Sequence, residues 1–174
     1  AKGDKQGSIN EIIKLAKQKS IVISEVDKNK LDQISETKHH QGVIAFVCPI
    51  SYQLIEEVIP MVYDEGRMPF VVILDRVTDV RNFGAIARTC YAAGVDAIVI
   101  PSRGSALING DAMKTSAGAL SRINVCRVDN VKDAIDFMKS SGLKVVSISE
   151  KGRKNVWESD MKVPVAIMMG SEED

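Results

Sequence analysis

Residues 70–101 read FVVILDRVTDVRNFGAIARTCYAAGVDAIVIP, and this stretch decides the fold. Phe70-Val71-Val72-Ile73-Leu74 is an unbroken apolar run, the pattern of a strand buried on both faces. A polar loop follows, and from Asn82 to Ala93 the apolar residues return at helical spacing. Ala97 to Ile100 is again strand-like. The alternation continues: Asp111 to Leu120 predicts a helix, Asn124 to Val128 a strand, Val131 to Ser140 a helix. Lys144 to Ile148 and Val165 to Met169 complete the strands. Buried Val/Ile strands with helices between them imply an α/β fold, a parallel sheet covered on both faces. In such sheets ligands sit beyond the C-terminal ends of the strands. The loops that matter are therefore 75–84, 101–110, 148–155 and 170–174.

Upstream, residues 8–19 predict a helix, with Ser8 and Glu11 as a capping box. Ile21-Val22-Ile23 reads as a short strand, Lys28 to Ile34 as a helix, and Val43 to Val47 as a buried strand. Pro49, Pro60, Gly66 and Pro69 punctuate a stretch with a helix-like segment from Tyr52 to Tyr63. The expected organisation is a small α/β unit (1–48), a linker (49–69) and a larger parallel-sheet domain (70–174). The first unit begins without an obvious first strand, and a core strand stands almost at the C-terminus. A trimmed portion of a longer protein is expected.

Composition narrows the function classes. The 174 residues are 45% hydrophobic and 26% charged, which argues against disorder. No apolar run approaches a membrane span of roughly 18–20 residues. Cys48, Cys90 and Cys126 form no CxxC pair, which argues against a disulfide framework or zinc site and for a reducing cytoplasm. Lys+Arg and Asp+Glu both number 23, yet all the arginines lie beyond residue 66. Such balance disfavours a DNA-wrapping protein but not local RNA contact, and Arg suits phosphate geometry. No GxGxxG, P-loop or GxSxG motif is present.

Three segments carry candidate chemistry. Asn82 reads as an N-cap, and Gly84 as a place where a ligand or another backbone comes close. Arg88 sits among apolar residues, so it must reach a helix edge, pair with an acid such as Asp75 or Asp79, or face a ligand. Lys38-His39-His40 is a polar, basic stretch, either an RNA contact or a solvated loop. Adjacent histidines make poor co-ligands for one metal. Finally, Val165 to Met169 runs into Gly170-Ser171-Glu172, as a crevice at a strand end needs.

Residues 74–101 resemble the first motif of the SpoU family of RNA ribose 2′-O-methyltransferases, of the SPOUT superfamily, and AIMMGSEED (166–174) resembles the start of its second. KTSAGALSRINVCRV (114–128), VVSISEKG (145–152) and KHHQGVIAF (38–46) resemble the family in order and spacing. The likeness is greatest to the subgroup of bacterial 23S rRNA guanosine 2′-O-methyltransferases. The resemblance implies an L30e-like N-terminal α/β unit for RNA binding and a SPOUT domain with a C-terminal trefoil knot, a rare exception to unknotted topology. The family's third motif, which completes the knot and donor pocket, is absent from these residues. The resemblance further implies S-adenosylmethionine as methyl donor, a homodimer, and RNA as substrate, rRNA ahead of tRNA, with no metal. By analogy Asn82, Arg88 and Glu172 are catalytic, and Ile148, Gly170 and Ser171 bind the donor. Lys38, His39, His40 and Arg81 are the expected RNA contacts. A non-catalytic RNA-binding module without a donor site is the alternative.

Overall fold

The computed structural model describes residues 8–19, 21–35, 39–46, 48–152 and 154–170. The chain divides into two compact units, Ala1–Val47 and Cys48–Asp174.

The first unit contains α1 (Ser8–Gln18) and α2 (Lys28–Ile34). Among its described residues only Leu31 is buried, and none forms a strand. This corrects the expected strands at 21–23 and, over its described residues 43–46, at 43–47: Val22 is 90% and Phe46 86% exposed. Their β-branched composition favours a strand only where a neighbour supplies ladder hydrogen bonds. The unit is therefore helical, not α/β, over the residues described.

The second unit adds α3 (Ile55–Asp64), β1 (Phe70–Leu74), α4 (Val80–Ala92), β2 (Ala97–Pro101) and α5 (Gly110–Thr115). It continues with β3 (Asn124–Val128), α6 (Val131–Ser140), β4 (Lys144–Ile148) and β5 (Val165–Met169). The five strands form one parallel sheet in the order β3-β2-β1-β5-β4. Strand periodicity sends alternate residues to opposite faces. Val72 and Leu74 pack with Phe83, Ala87 and Cys90 of α4 and Ala112 of α5. Val71 and Ile73 pack with Ile55, Val58, Ile59 and Val62 of α3 and with Ala134 and Met138 of α6. Each of the Val, Leu, Ile, Phe and Met side chains contributes roughly 1.5–3 kcal/mol when fully buried.

Two expectations change here. The segment 49–69 is not a bare linker, because α3 buries four residues in the larger unit's core. Gln53 donates its backbone N–H to Val125 and bridges to Cys126, covering the β3 edge. The helix expected over 111–120 is interrupted: α5 stops at Thr115, where Ala117 (φ 50°) and Gly118 (φ 83°) turn left-handed, and a 3₁₀ turn occupies Ala119–Ser121.

Candidate functional site

The C-terminal ends of β1, β5 and β4 lie side by side. Leu74 is in register with Met169, and Met169 with Ile148. Beyond β1 the Asp75 backbone N–H donates to the Met169 carbonyl (2.9 Å), tying the first loop to the last strand. This brings Ile148 and Gly170 to adjacent strand ends. Ile148 is 52% exposed. Among the described residues, a side chain added at Gly170 would meet nothing within 4 Å. The register puts Val146, Ile148, Ile167 and Met169 on the sheet face that α4 covers at β1 and β2. There these four are only partly buried or exposed. An apolar shelf beside an open glycine edge fits a flat, partly apolar ligand such as the adenosine of S-adenosylmethionine.

Helix α4 carries the polar candidates. Asp79, not Asn82, is its N-cap: the Asp79 carboxylate accepts the Asn82 backbone N–H at 2.6 Å. Asn82 therefore stands in the first turn, where a cap side chain three residues upstream reaches back to it. The stripe Phe83, Gly84, Ala87, Cys90 is buried, with the 3.6-residue period of a core-facing helix. Arg81, Asn82, Arg88 and Thr89 fall on the exposed side. Arg81 and Arg88, seven residues apart, share one edge. Gly84 admits another backbone: a Cβ there would sit 2.0 Å from Thr115 Oγ1 and 2.8 Å from the Ala112 carbonyl oxygen. That contact packs α4 on α5 and belongs to the core.

Arg88 is not locked against an acid. Asp79 caps the helix, and Asp75 lies 3.4 Å from Arg76 Nε. Arg88 makes no ion pair or hydrogen bond among the described residues. A guanidinium exposed on this helix, with no partner among the described residues, can meet an anionic ligand.

His39 is exposed. His40 is not a surface RNA contact: its side chain is 5% exposed, Nε2 lies 3.1 Å from Asp32 Oδ1, and Nδ1 accepts the Gly42 N–H at 2.9 Å. Both ring nitrogens are engaged in holding α2 to the following turn, which adjacency in sequence could not reveal. Lys38, Ser171 and Glu172 lie outside the described residues. The sequence reading passed over Arg76 and Arg103, both exposed in the loops after β1 and β2.

Other chemistries find less support. Burial pushes the Cys90 thiol up to about 11 and the Cys126 thiol up to about 12, so neither is a ready nucleophile at neutral pH. Among the described residues no three His, Cys, Asp or Glu side chains gather as a metal cluster. No helix among them is long and apolar enough to cross a membrane.

Sequence comparison matches residues 69–174 to the SpoU rRNA Methylase family and residues 1–53 to the substrate-binding domain of RNA 2′-O ribose methyltransferases. A Staphylococcus saprophyticus protein named as a TrmH family tRNA/rRNA methyltransferase is 36% identical over 168 residues, 97% of this chain and 67% of its own length. The chain thus spans about two thirds of that relative. Among solved structures, the AdoMet-bound rRNA methyltransferase of Sinorhizobium meliloti superimposes with a TM-score of 0.61 at 19% identity, covering 95% of this chain and 62% of that one. The TrmH/SpoU tRNA modifying enzyme of A. aeolicus gives 0.54 at 28% identity, covering 62% and 55%.

Proposed function

Because the chain belongs to the SpoU rRNA Methylase family, we propose that it takes part in methyl transfer from S-adenosylmethionine to a ribose 2′-hydroxyl of RNA, with a guanosine of 23S rRNA as the leading target. The observation that carries the reading is Arg88, exposed on α4 and making no ion pair or hydrogen bond among the described residues; α4 follows the β1 loop that Asp75 ties to Met169.

When bound, the donor supplies an electrophilic methyl group on a sulfonium. Ile148 and the Gly170 backbone edge would hold it against the apolar shelf, with Ser171 next in sequence. The remaining work falls to α4. A ribose hydroxyl is a weak nucleophile near neutral pH, so its proton must leave as the new bond forms. A guanidinium is a poor base. Arg88 instead holds the phosphate neighbouring the target and stabilises the charge that develops on the 2′-oxygen. Asn82, in the first turn of α4 and so nearer the strand ends than Arg88, orients the ribose. By the family resemblance Glu172 is the second-motif acid that helps shape the site. Holding the hydroxyl in line for attack supplies much of the remaining acceleration. Arg81 and His39 extend the RNA contact, and the protein works as a homodimer.

The test is transfer of tritiated methyl to unmodified 23S rRNA and, separately, to unmodified tRNA, followed by nuclease digestion that distinguishes ribose from base methylation. Label on ribose in rRNA, and its loss in Arg88→Ala, is expected. Label confined to tRNA moves the target; equal incorporation by wild type and variant removes Arg88 from the mechanism. Binding of RNA without any transfer or donor affinity would instead favour a non-catalytic RNA-binding module.

A further inference from the structure

Trp157 is the only tryptophan in the sequence, and it stands 79% exposed. Tryptophan is among the more buried residues on average, so the position departs from the rule. Its neighbour Val156 is 55% exposed. The backbone beneath them is hydrogen-bonded on both sides. Val156–Glu158 forms a 3₁₀ turn in the loop between β4 and β5. The Glu158 N–H donates to the Asn155 carbonyl at 3.1 Å, and the Asn155 N–H donates to Glu158 Oε2 at 2.8 Å. Downstream, Lys144 Nζ donates to the Asp160 carbonyl at 3.0 Å and ties the loop to the start of β4. A turn closed in this way presents an indole at small entropic cost, because only two side-chain torsions are left to fix. The same loop leaves Ile148 at the end of β4 and runs Lys151-Gly152-Arg153-Lys154 just before the turn. Lys151 and Lys154 are exposed, and their ammonium groups have no partner among the described residues. The two acids that follow Trp157 are engaged: Glu158 with the Asn155 N–H, and Asp160 with the Lys162 N–H at 2.9 Å. Nine residues separate Ile148 from Trp157, a reach of no more than about 30 Å.

We propose that Trp157 is a stacking platform for an unpaired nucleobase of the RNA substrate, with Lys154 meeting a phosphate of the same strand. The proposal rests on the RNA-methyltransferase reading above and gives the larger unit a substrate contact apart from α4. An indole offers a flat π-face, every base offers another, and stacking between them is tolerant of sequence. Single-stranded RNA is held in this manner, its splayed bases on aromatic rings and its backbone on cations. A protein partner would ask for a wider apolar patch. Here every described residue of 149–160 other than Val156 and Trp157 is polar or glycine.

Tryptophan emission is the probe. The full chain is titrated with a single-stranded RNA oligomer copied from unmodified 23S rRNA, and with the same oligomer made abasic, which keeps the phosphates. The difference in emission between wild type and Trp157→Phe isolates the indole at 157. The base-bearing oligomer should quench that emission and shield it from acrylamide; the abasic one should do neither. By anisotropy of labelled oligomer, Trp157→Ala and Trp157→Leu should bind roughly 5- to 150-fold more weakly, the usual loss for one stacked base. Trp157→Phe, which keeps a flat ring, should retain most of the affinity. Lys154→Gln should lower the slope of log affinity against log salt by about 0.7, one phosphate contact on a single strand. Calorimetric affinity for S-adenosylmethionine should match wild type throughout, and an equal loss there would make the role structural and overturn the platform. Emission indifferent to RNA, equal quenching by the abasic oligomer, or Trp157→Leu binding as well as Trp157→Phe also overturns it. So does an indole already shielded from acrylamide before RNA is added, the mark of a protein partner. Wild-type emission decides even where a variant fails to fold. Methyl transfer to ribose with emission unchanged defeats the platform and leaves the function standing. Absence of both transfer and RNA binding defeats both.

Discussion

The two ends of the parallel sheet use arginine in opposite ways. At the start of β1, Arg67 is fully committed: Nη1 reaches Asp96 at 2.5 Å and Nη2 reaches Glu65 at 2.6 Å. Asp96 in turn accepts the Phe70 N–H at 2.9 Å, and its carbonyl accepts from Asn124 Nδ2. These contacts brace the entry of three strands. At the opposite end, Arg81, Arg88 and Arg103 are exposed and make no ion pair or hydrogen bond among the described residues. The same guanidinium is a brace where acids surround it and a ligand-facing group where they are absent. In a doubly wound sheet only the C-terminal end presents loops free to take such a role.

The widest separation expected is between Arg88→Ala and Asp96→Ala. Removing Arg88 should cut methyl transfer on the order of 10²–10³-fold, the usual cost of one charge-stabilising donor, with the melting temperature unchanged. Removing the Asp96 carboxylate leaves Arg67 with Glu65 alone and the part-buried Phe70 N–H without its partner, and the unpaired N–H should cost about 1–3 kcal/mol of stability by urea titration. A stability loss in Arg88→Ala matching that in Asp96→Ala would erase the distinction between the two ends.

The inner and outer faces of α4 sharpen the same contrast. Gly84→Ala drives a methyl group into Thr115 Oγ1 and the Ala112 carbonyl. Thr115→Ala would relieve the first clash but not the second, since a backbone oxygen cannot rotate away. Stability should fall by about 1–3 kcal/mol, and the double variant should recover only part. Full recovery would show that α4 and α5 are less tightly set than their separation implies.

Alkaline stability probes the core itself. The Cys126 thiol stands at about 12 and the Cys90 thiol at about 11 in the folded chain, against 9.0 ordinarily, chiefly through burial. Between these limits the folded protein holds more protons than the unfolded one, so stability is intact below pH 9 and falls as pH rises above it. The fall should be no steeper than about 1.4 kcal/mol per pH unit for each thiol. Cys126→Ala should flatten the pH dependence of the urea midpoint. An unchanged profile would place the alkaline sensitivity elsewhere.

The strands of the larger unit were legible because buried parallel strands spell themselves as continuous Val/Ile runs: Asn124–Val128, Lys144–Ile148 and Val165–Met169 stand as read. The same apolar spelling misled at Ile21–Ile23 and from Val43, since a ladder partner is not written in a strand's own residues. Pro60 and the flanking prolines suggested a connector, yet Ile55, Val58, Ile59 and Val62 carry a helical stripe that shows α3 to be core. In the site, the sequence left Arg88 a helix edge, an acid or a ligand, and the buried stripe of Phe83, Ala87 and Cys90 puts it on the exposed edge. Arg76 was invisible for a different reason: its left-handed backbone comes from hydrogen bonds to residues 169 and 106, far away in sequence.

Asp79→Ala gives the smallest expected change and the finest test of how α4 holds its two functional positions. The Asp79 carboxylate satisfies the Asn82 amide and favours the positive end of the helix, so its loss should cost about 1 kcal/mol. The damage should stay local. Asn82 lies in the first turn, which the cap organises, whereas exposed Arg88 lies almost two turns on, its neighbour Ala87 and the nearby Cys90 belonging to the buried stripe. Hydrogen exchange at the Asn82 amide should therefore quicken while the Arg88 amide remains as protected as in wild type. Asp79→Asn, which keeps an accepting oxygen, should restore most of the difference. Equal loss of protection at both amides would mean that the cap, rather than burial against β1 and β2, sets the position of Arg88, and the two faces of the helix would then be one cooperative element.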